Sequence, residues 1–366
     1  MNRRDWAKSI ASASLAARGL SAKSARASVE PEIVRLKLKH TWTTTMSSSD
    51  YRDTIHLRLT AGGITAYGEG APIVRYHESA ETARKAIELL RPMLSSADPG
   101  QYTKVLAQVF ETVKGEWAAK SAIDIALMDW AGQKLGVPLY RLFGLDAANA
   151  PITTFSIGID TPEITKQKVK EAEPYPVLKI KVGLDKDEQT IEAVRSVTKK
   201  PLRLDANEGF KTKEEAVRKI NWLESVGAEF IEQPMQAHLL SEQRWIRSKV
   251  HLPIFADESC LRAEDIPKIA DAYDGVVVKL DKTGGLNGAL RMIHVARAHN
   301  LKVMLGCMVS SSVTITAAAH LSPLADYADL DGNLLVANDP FRGVTVREGK
   351  LMLPARPGLG ITPAAG

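Results

Sequence analysis

Leu178-Lys179-Ile180-Lys181-Val182-Gly183 sets two lysines, one residue apart, inside an apolar run of strand character. On a strand, side chains at i and i+2 share a face, so both ammonium groups project into one small volume. Two readings compete. An edge strand uses lysines to resist pairing with other chains; a buried pair faces a site rich in negative charge. The stretch alone leaves both open, and the residues around it decide.

Outward from this stretch, short apolar runs alternate with helical segments and end near Ile159, Val182, Asp205, Glu232, Asp257, Leu280, Gly306 and Asp331. The charged residues at those ends recur about every 25 residues, the length of one strand–helix unit, and about eight such units close a parallel barrel. The expected fold class is therefore α/β, with a barrel over residues 151–331 whose chemistry lies at the carboxyl ends of its strands. Three ends carry carboxylates in apolar surroundings: Arg203-Leu204-Asp205-Ala206-Asn207, Phe230-Ile231-Glu232-Gln233-Pro234 and Phe255-Ala256-Asp257-Glu258-Ser259. Aspartate and glutamate are poor strand formers and costly to bury, so three in register imply a shared compensating charge; any one alone reads equally well as a helix N-cap. A hard divalent cation supplies that charge. Three single carboxylates with positions left for water or substrate suit Mg2+, and the lack of nearby His and Cys disfavours zinc. Lys279, in Val276-Val277-Val278-Lys279-Leu280-Asp281-Lys282, closes the sixth strand. Strands two and six of an eight-stranded barrel lie on opposite sides, so Lys181 and Lys279 flank its centre from opposite faces.

Residues 30–150 read as an α+β unit. Glu32–His40 and Thr54–Thr60 alternate in strand fashion, and Gly62-Gly63 before Ile64 is a hairpin signal; together they predict a three-stranded meander. The polar segment Thr41–Asp53 between the first two strands reads as a mobile loop. Ser79–Leu90 and Glu116–Leu135 have helical apolar spacing, the second stopped by Gly136 and Pro138. Residues 332–366, with short strands expected at Leu334–Val336, Val344–Arg347 and Leu351–Leu353, read as a return to the first unit. With 366 residues, 45% hydrophobic and 25% charged, the chain has the profile of a large globular core. No apolar run reaches the roughly 18 residues of a membrane span.

Met1–Ser28 holds six of the 48 Lys and Arg residues and one of the 43 Asp and Glu, so the remainder is formally neutral and the pI of about 9.0 argues for no nucleic-acid partner. Arg3-Arg4, Trp6 and the small-residue run Ser9–Ala17 resemble a twin-arginine export leader, interrupted by Arg18; a disordered basic tail is the alternative. The expected location is periplasmic or exported with a leader, and cytoplasmic otherwise. Cys260 and Cys307 are the only cysteines and read as free, packed thiols.

Lys179-Ile180-Lys181, the Asp205, Glu232 and Asp257 series, and Lys279 followed by Gly284-Gly285 together resemble the enolase superfamily in its muconate-lactonising subgroup, over residues 30–366. Gly306-Cys307-Met308 and Asp329-Leu330-Asp331-Gly332 are similar to the dipeptide epimerases, relatives of the Ala-Glu epimerase of murein peptide recycling. The resemblance implies a TIM-like modified (β/α)7β barrel with an N-terminal α+β capping domain. It implies one Mg2+ per subunit on Asp205, Glu232 and Asp257, acid/base work at Lys181 and Lys279, and the substrate carboxylate on Lys179. It also implies that Gly306, Cys307 and Met308 line the substrate and that Asp329 and Asp331 hold its free α-amino group. Their i, i+2 spacing puts both on one face, as a cation clamp needs; loop capping is the alternative. Ser156 matches a position where the family sets a small hydroxyl near substrate. The partners expected are a small dipeptide and, in a homo-oligomer, other copies of the chain.

The implied reaction agrees with what these residues do unaided. Removing the α-proton beside a carboxylate develops charge on oxygen, which a cation offsets. A free lysine, with a pKa of about 10.4, is too protonated to act as base at neutral pH; a second ammonium and a divalent cation nearby are the means of lowering it. One lysine takes the proton and the other returns one on the far side, which inverts that carbon. The expected function is an isomerase, a Mg2+-dependent dipeptide epimerase acting on the C-terminal residue of an L-Ala-Xaa dipeptide. Cycloisomerases, N-acylamino-acid racemases and o-succinylbenzoate synthases of the same subgroup are alternatives, as is a non-catalytic binding protein on this fold. The loops over the barrel mouth offer Trp42, Met46 and Tyr51, with Arg52 only near the end of the first, and Arg75 and His77 in the second, Gly70–His77. This set favours an apolar or polar side chain at the inverted carbon over glutamate.

Overall fold

The computed structural model describes residues 26–45 and 47–364; most of the leader-like segment, residues 1–25, and Met46 lie outside the described residues. Three antiparallel strands, β1 (Ser28–Thr43), β2 (Ser48–Ala61) and β3 (Ile64–Gly70), form the meander in the order β1-β2-β3. Gly62 and Gly63 make the turn between β2 and β3 with φ of 59° and 78°, which glycine takes without a Cβ penalty. Thr41–Asp53 is not the open loop expected. β1 and β2 run on to a tight tip with Thr43 opposite Ser48, because threonine favours extended backbone and the hydroxyls pair across the ladder, Thr43 Oγ1 to Ser48 Oγ at 2.9 Å.

Helices Ala80–Ser96, Tyr102–Thr112 and Trp117–Leu135 cover this sheet. Ser79 caps the first by accepting from Thr82 N at 3.1 Å. The third lies so close to β3 that a Cβ on Gly68 or Gly70 would stand 1.9 Å from the carbonyl oxygen of Ala122 or Ala118. Its other face meets the barrel: Asp124 accepts from Leu286 N at 3.0 Å and Asn287 N at 3.2 Å, at the start of helix Leu286–Ala298. Squeezed between sheet and barrel, this helix is buried on nearly every side.

The barrel strands are β4 (Phe155–Ile157), β5 (Leu178–Lys181), β6 (Leu202–Asp205), β7 (Ala228–Glu232), β8 (Ile254–Ala256), β9 (Gly275–Val278), β10 (Lys302–Gly306) and β11 (Tyr327–Asp329). Each pairs in parallel with the next. A bridge between Thr153 and Ala328 joins the last to the first. Helices follow the first seven strands, whereas β11 enters a 3-10 turn, Gly332–Leu335, which gives the (β/α)7β form. Leu334 and Leu335 are therefore turn rather than the strand expected, and only Val336 is extended, bridging Leu38: Leu334 N donates to Asp331 O at 2.9 Å, and Asn333 Nδ2 donates to Ser312 Oγ at 3.1 Å. Phe230, Phe255, Val277 and Met304 fill the lumen with packed side chains. Phe230 lies two residues before Glu232 and so occupies the layer beneath it. The chain end returns to the first unit, where Leu359 N donates to Asp129 Oδ1 at 2.8 Å. Among the described residues no helix is long and apolar enough to cross a membrane.

Candidate active site

β5 sits between β4 and β6, so its lysines guard no edge. Strand alternation turns Lys179 and Lys181 together into the lumen, where they are 2% and 8% exposed. Lys179 Nζ lies 2.7 Å from Glu232 Oε2, 2.7 Å from Asp329 Oδ2 and 3.2 Å from Asp205 Oδ2. Lys181 Nζ is 2.6 Å from Asp205 Oδ2 and 3.0 Å from Asn207 Oδ1. From the other side of the barrel, Lys279 Nζ reaches Asp257 Oδ2 at 2.8 Å and stands 4.0 Å from Glu232 Oε1. The three strand-end carboxylates and three lysines thus form one cluster. Lys282, a residue the sequence reading did not single out, belongs to it: its Nζ donates to Asp257 Oδ1 at 2.5 Å and to the carbonyls of Val277, Asp257 and Cys260. Its only sequence signal is its spacing of one helical turn from Lys279.

Burial disfavours the charged form of a carboxyl or an ammonium, and the neighbours either offset that or add to it. For Asp205 the ammonium groups of Lys181 and Lys179 outweigh burial and hold the carboxyl below its usual range. Lys279 and Lys282 do the same for Asp257. Burial would lower Lys279, but Asp257 and Glu232 outweigh it and hold it above its ordinary value. Burial and the like charge of Asp205 drive Glu232 well above its ordinary value. Burial and Asp257 push Glu258 up to about 7.

A divalent cation fits this set. Six carboxyl groups, Asp205, Glu232, Asp257, Glu258, Asp329 and Asp331, face four lysines. Both oxygens of Glu232 are buried without a hydrogen bond, although Lys179 is near in distance. Such an oxygen pair is costly unless a cation meets it. Asp205, Glu232 and Asp257 each lie against a lysine ammonium, and among the described residues no three His, Cys, Asp or Glu side chains converge as a finished ligand cage.

At the end of β11, Asp329 and Asp331 face the same space. Asp329 Oδ1 accepts from Ser156 Oγ at 3.2 Å, and Asp331 Oδ2 accepts from Ser156 N at 2.6 Å. Lys179 outweighs burial to keep Asp329 low, whereas burial and the charge of Asp329 push Asp331 up to about 7. Two adjacent buried carboxyls of this kind attract a cationic group. Ser156 therefore orients the aspartate pair. Gly306 leaves room for Lys279, since a Cβ there would stand 3.1 Å from Lys279 Cε, and Cys307 and Met308 follow it on the wall. Burial and Asp331 drive the Cys307 thiol well above its ordinary value, so it is no thiolate.

These groups line a cavity of about 430 Å3 roofed by Pro72–Tyr76 and the tip of the β1–β2 hairpin. Glu69 and Asp281 tie the roof down: Glu69 accepts from Ser311 N at 2.9 Å, and Asp281 Oδ1 accepts from Ala71 N at 2.8 Å. Arg75 is spent in a paired contact with Glu208, its Nη2 2.8 Å from Oε1. Arg52 faces the cavity, and among the described residues its guanidinium donates only to the Tyr51 carbonyl, at 3.1 Å. The sequence places Arg52 only near the end of the first loop; in the fold it lies on β2 and faces the cavity.

A barrel whose strand ends gather opposed lysines around carboxylates, under an α+β cap, defines a class, and family models agree with it. Residues 24–144 match the mandelate racemase / muconate lactonizing enzyme N-terminal domain, and residues 164–365 match the enolase C-terminal domain-like model. The chain belongs to the mandelate racemase and muconate lactonizing enzyme family of the enolase superfamily. It is 43% identical over 330 residues to an L-Ala-D/L-amino acid epimerase of Pedosphaera parvula, a match covering 88% of this chain and 94% of that one. It is 39% identical over 327 residues to an L-Ala-D/L-Glu epimerase of Bacteroides thetaiotaomicron, covering 89% and 85%. A solved dipeptide epimerase of Cytophaga hutchinsonii, complexed with Mg and the dipeptide D-Ala-L-Val, superposes with a TM-score of 0.87 at 28% identity, covering 92% and 95%.

Proposed function

We propose that this protein is a Mg2+-dependent dipeptide epimerase that inverts the α-carbon of the C-terminal residue of an L-Ala-Xaa dipeptide. What supports this most is the pairing of Lys181 on β5 with Lys279 at the end of β9, across the barrel and either side of one carboxylate cluster. Asp205, Glu232 and Asp257 are the residues that would hold the metal. Bound there, Mg2+ supplies positive charge to the substrate carboxylate as the α-proton leaves.

The chain's own groups do the rest. Lys179, held charged by Asp329, Glu232 and Asp205 against its burial, binds the substrate carboxylate. Asp329 and Asp331 hold the α-ammonium and set the dipeptide's direction. Lys181 and Lys279 stand on opposite faces of the reacting carbon, one removing the α-proton and the other delivering one. Exchange of their roles runs the reaction backwards. The roof of Pro72–Tyr76 excludes water. The basic segment at the N-terminus acts as an export leader, and the chain assembles with copies of itself; mass spectrometry of the secreted protein and light scattering test these two points.

The test of the activity is exchange of the C-terminal α-hydrogen of L-Ala-L-Xaa dipeptides in deuterium oxide with Mg2+ present. Turnover of the free dipeptide and none of its N-acetylated form is expected. Silence across a broad panel refutes epimerisation, and equal turnover of acetylated substrates assigns the site to an acylamino-acid racemase.

A further inference from the structure

Asn207 and Glu208, the second and third residues after β6, take φ of 39° and 64°, in the left-handed region. Two consecutive residues other than glycine persist there only where their surroundings over-determine them. Three contacts come from the barrel: Asn207 N donates to Asp205 Oδ1 at 2.9 Å, Glu208 N donates to Gln233 O at 2.8 Å, and Ala237 N donates to Glu208 Oε1 at 2.7 Å. The others come from the roof. Arg75 forms a two-point ion pair with Glu208, and Thr45 Oγ1, at the tip of the β1–β2 hairpin, donates to the Asn207 carbonyl at 3.0 Å. Both roof segments therefore fasten to the same strained turn.

The side chain of Asn207 lines the reaction cavity. Its Oδ1 accepts from Lys181 Nζ at 3.0 Å, and its Nδ2 donates to Glu258 Oε1 at 3.3 Å. A donor on one side and an acceptor on the other fix which way round the amide sits. The other close partner of Lys181 among the described residues is Asp205, which belongs to the set that would hold the metal. Asn207 is thus the partner of Lys181 that lies outside that set. Lys279, across the barrel, is in contact with Asp257 and Glu232 and, among the described residues, with neither Asn207 nor Glu208. A line of contacts runs from the roof through Arg75, Glu208 and Asn207 to one of the two lysines and not to the other.

We propose that Asn207 and Glu208 are positioning residues that couple closure of the roof to the aim of Lys181. With Arg75 seated on Glu208 and Thr45 on the Asn207 carbonyl, the turn holds the Asn207 amide against Lys181. With the clasp open, the turn relaxes and Lys181 loses that guide. The coupling is one-sided, since proton transfer at Lys279 does not pass through it. This rests on the dipeptide epimerase reading and deepens it by giving the two lysines different dependence on the roof.

The full chain with Mg2+ is incubated in deuterium oxide with L-Ala-L-Leu and, separately, with L-Ala-D-Leu, and the initial rate of exchange at the C-terminal α-carbon is read by mass spectrometry. The isomer whose exchange Lys181→Arg slows more is the one Lys181 serves. Arg75→Met opens the clasp from the roof, and Asn207→Gly removes the amide while keeping a residue at ease with a positive φ. Each is expected to slow exchange from the Lys181 isomer by about twentyfold or more and from the other isomer by less than about threefold, because a slight misplacement of a reacting group costs up to about a hundredfold. The double variant is expected to match Asn207→Gly alone within about twofold, because Arg75 acts through Asn207. Arg75→Lys, which keeps the charge without the two-point geometry, should recover part of the loss. Circular dichroism and Tm check the folding of each variant. Equal losses from both isomers, as a roof that only excludes water or an Arg75 that touches substrate would give, overturn the coupling and leave the epimerase reading intact. Losses that multiply in the double variant do the same. No wild-type exchange from either isomer overturns both.

Discussion

Replacing Glu69 with glutamine tests how the capping unit is held on the barrel mouth. Glu69 is fully buried on β3 and accepts from Ser311 N at 2.9 Å, Ser311 Oγ at 2.7 Å and Thr314 N at 3.1 Å, at the start of helix Ser312–Leu321. His56 Nε2 stands 3.3 Å away. Burial alone would raise the carboxyl; His56 and the Ser311 donors outweigh it and bring it from 4.5 down to about 2. An acid held low in the fold contributes stability above its unfolded value, and that contribution is lost as pH falls through the folded one. At neutral pH the shift corresponds to about 3 kcal/mol. Spread over the unfolding entropy of a chain this size, that is about 4 °C in Tm. Calorimetry is expected to find Glu69→Gln melting about 4 °C lower than wild type at pH 7, with the gap about halved near pH 3. Equal Tm values at pH 7, or a gap that does not shrink on acidification, refute the reasoning.

Lys279→Ala is expected to slow α-proton exchange by about a thousandfold, and a loss under about tenfold would remove it from proton transfer. Lys181→Arg keeps a cation beside Asp205 but one that does not give up its proton. Exchange from one stereoisomer should therefore stop first while Mg2+ affinity, measured by calorimetry, stays within about threefold. Asp281 is pushed up to about 8 by burial, and its Oδ2 has no partner. A carboxyl raised in the fold costs stability as pH climbs from its unfolded value through the folded one. Wild-type Tm should accordingly fall between about pH 4 and pH 8 and level off above that, and Asp281→Asn, which keeps the acceptor for Ala71 N, should flatten that fall. A variant with an unchanged slope contradicts the assignment. Arg52→Met is expected to lower exchange from L-Ala-L-Glu relative to L-Ala-L-Leu by about tenfold, because Arg52 is the cation aimed at the cavity without a carboxylate partner among the described residues. Equal losses on both substrates would deny it that role.

Much of the molecule was legible before any coordinates, and particular residues show why. Strand alternation and the recurrence of Asp205, Glu232, Asp257 and Lys279 are local, periodic properties, so they fix both the barrel and the inward direction of those side chains. Lys179 and Lys181 fall inward for the same reason. The tip of the β1–β2 hairpin was misread because polar composition, which marks loops on average, says nothing about a threonine ladder completed by a partner strand.

What sequence alone determined was the set of charged residues at the strand ends and the side of the backbone on which each stands. Tertiary structure decided their protonation and their company. The ammonium of Lys179 is shared among carboxylates from three other strands, Lys282 is drawn onto Asp257, and Glu232 is left buried without a hydrogen bond. It also decided that an apolar cavity lies behind Asp329 and Asp331, where β1, β4 and the turn after β11 meet. Side-chain direction follows from the backbone period of a few residues, whereas charge state and cavity shape depend on groups brought together from across the chain by closure of the barrel.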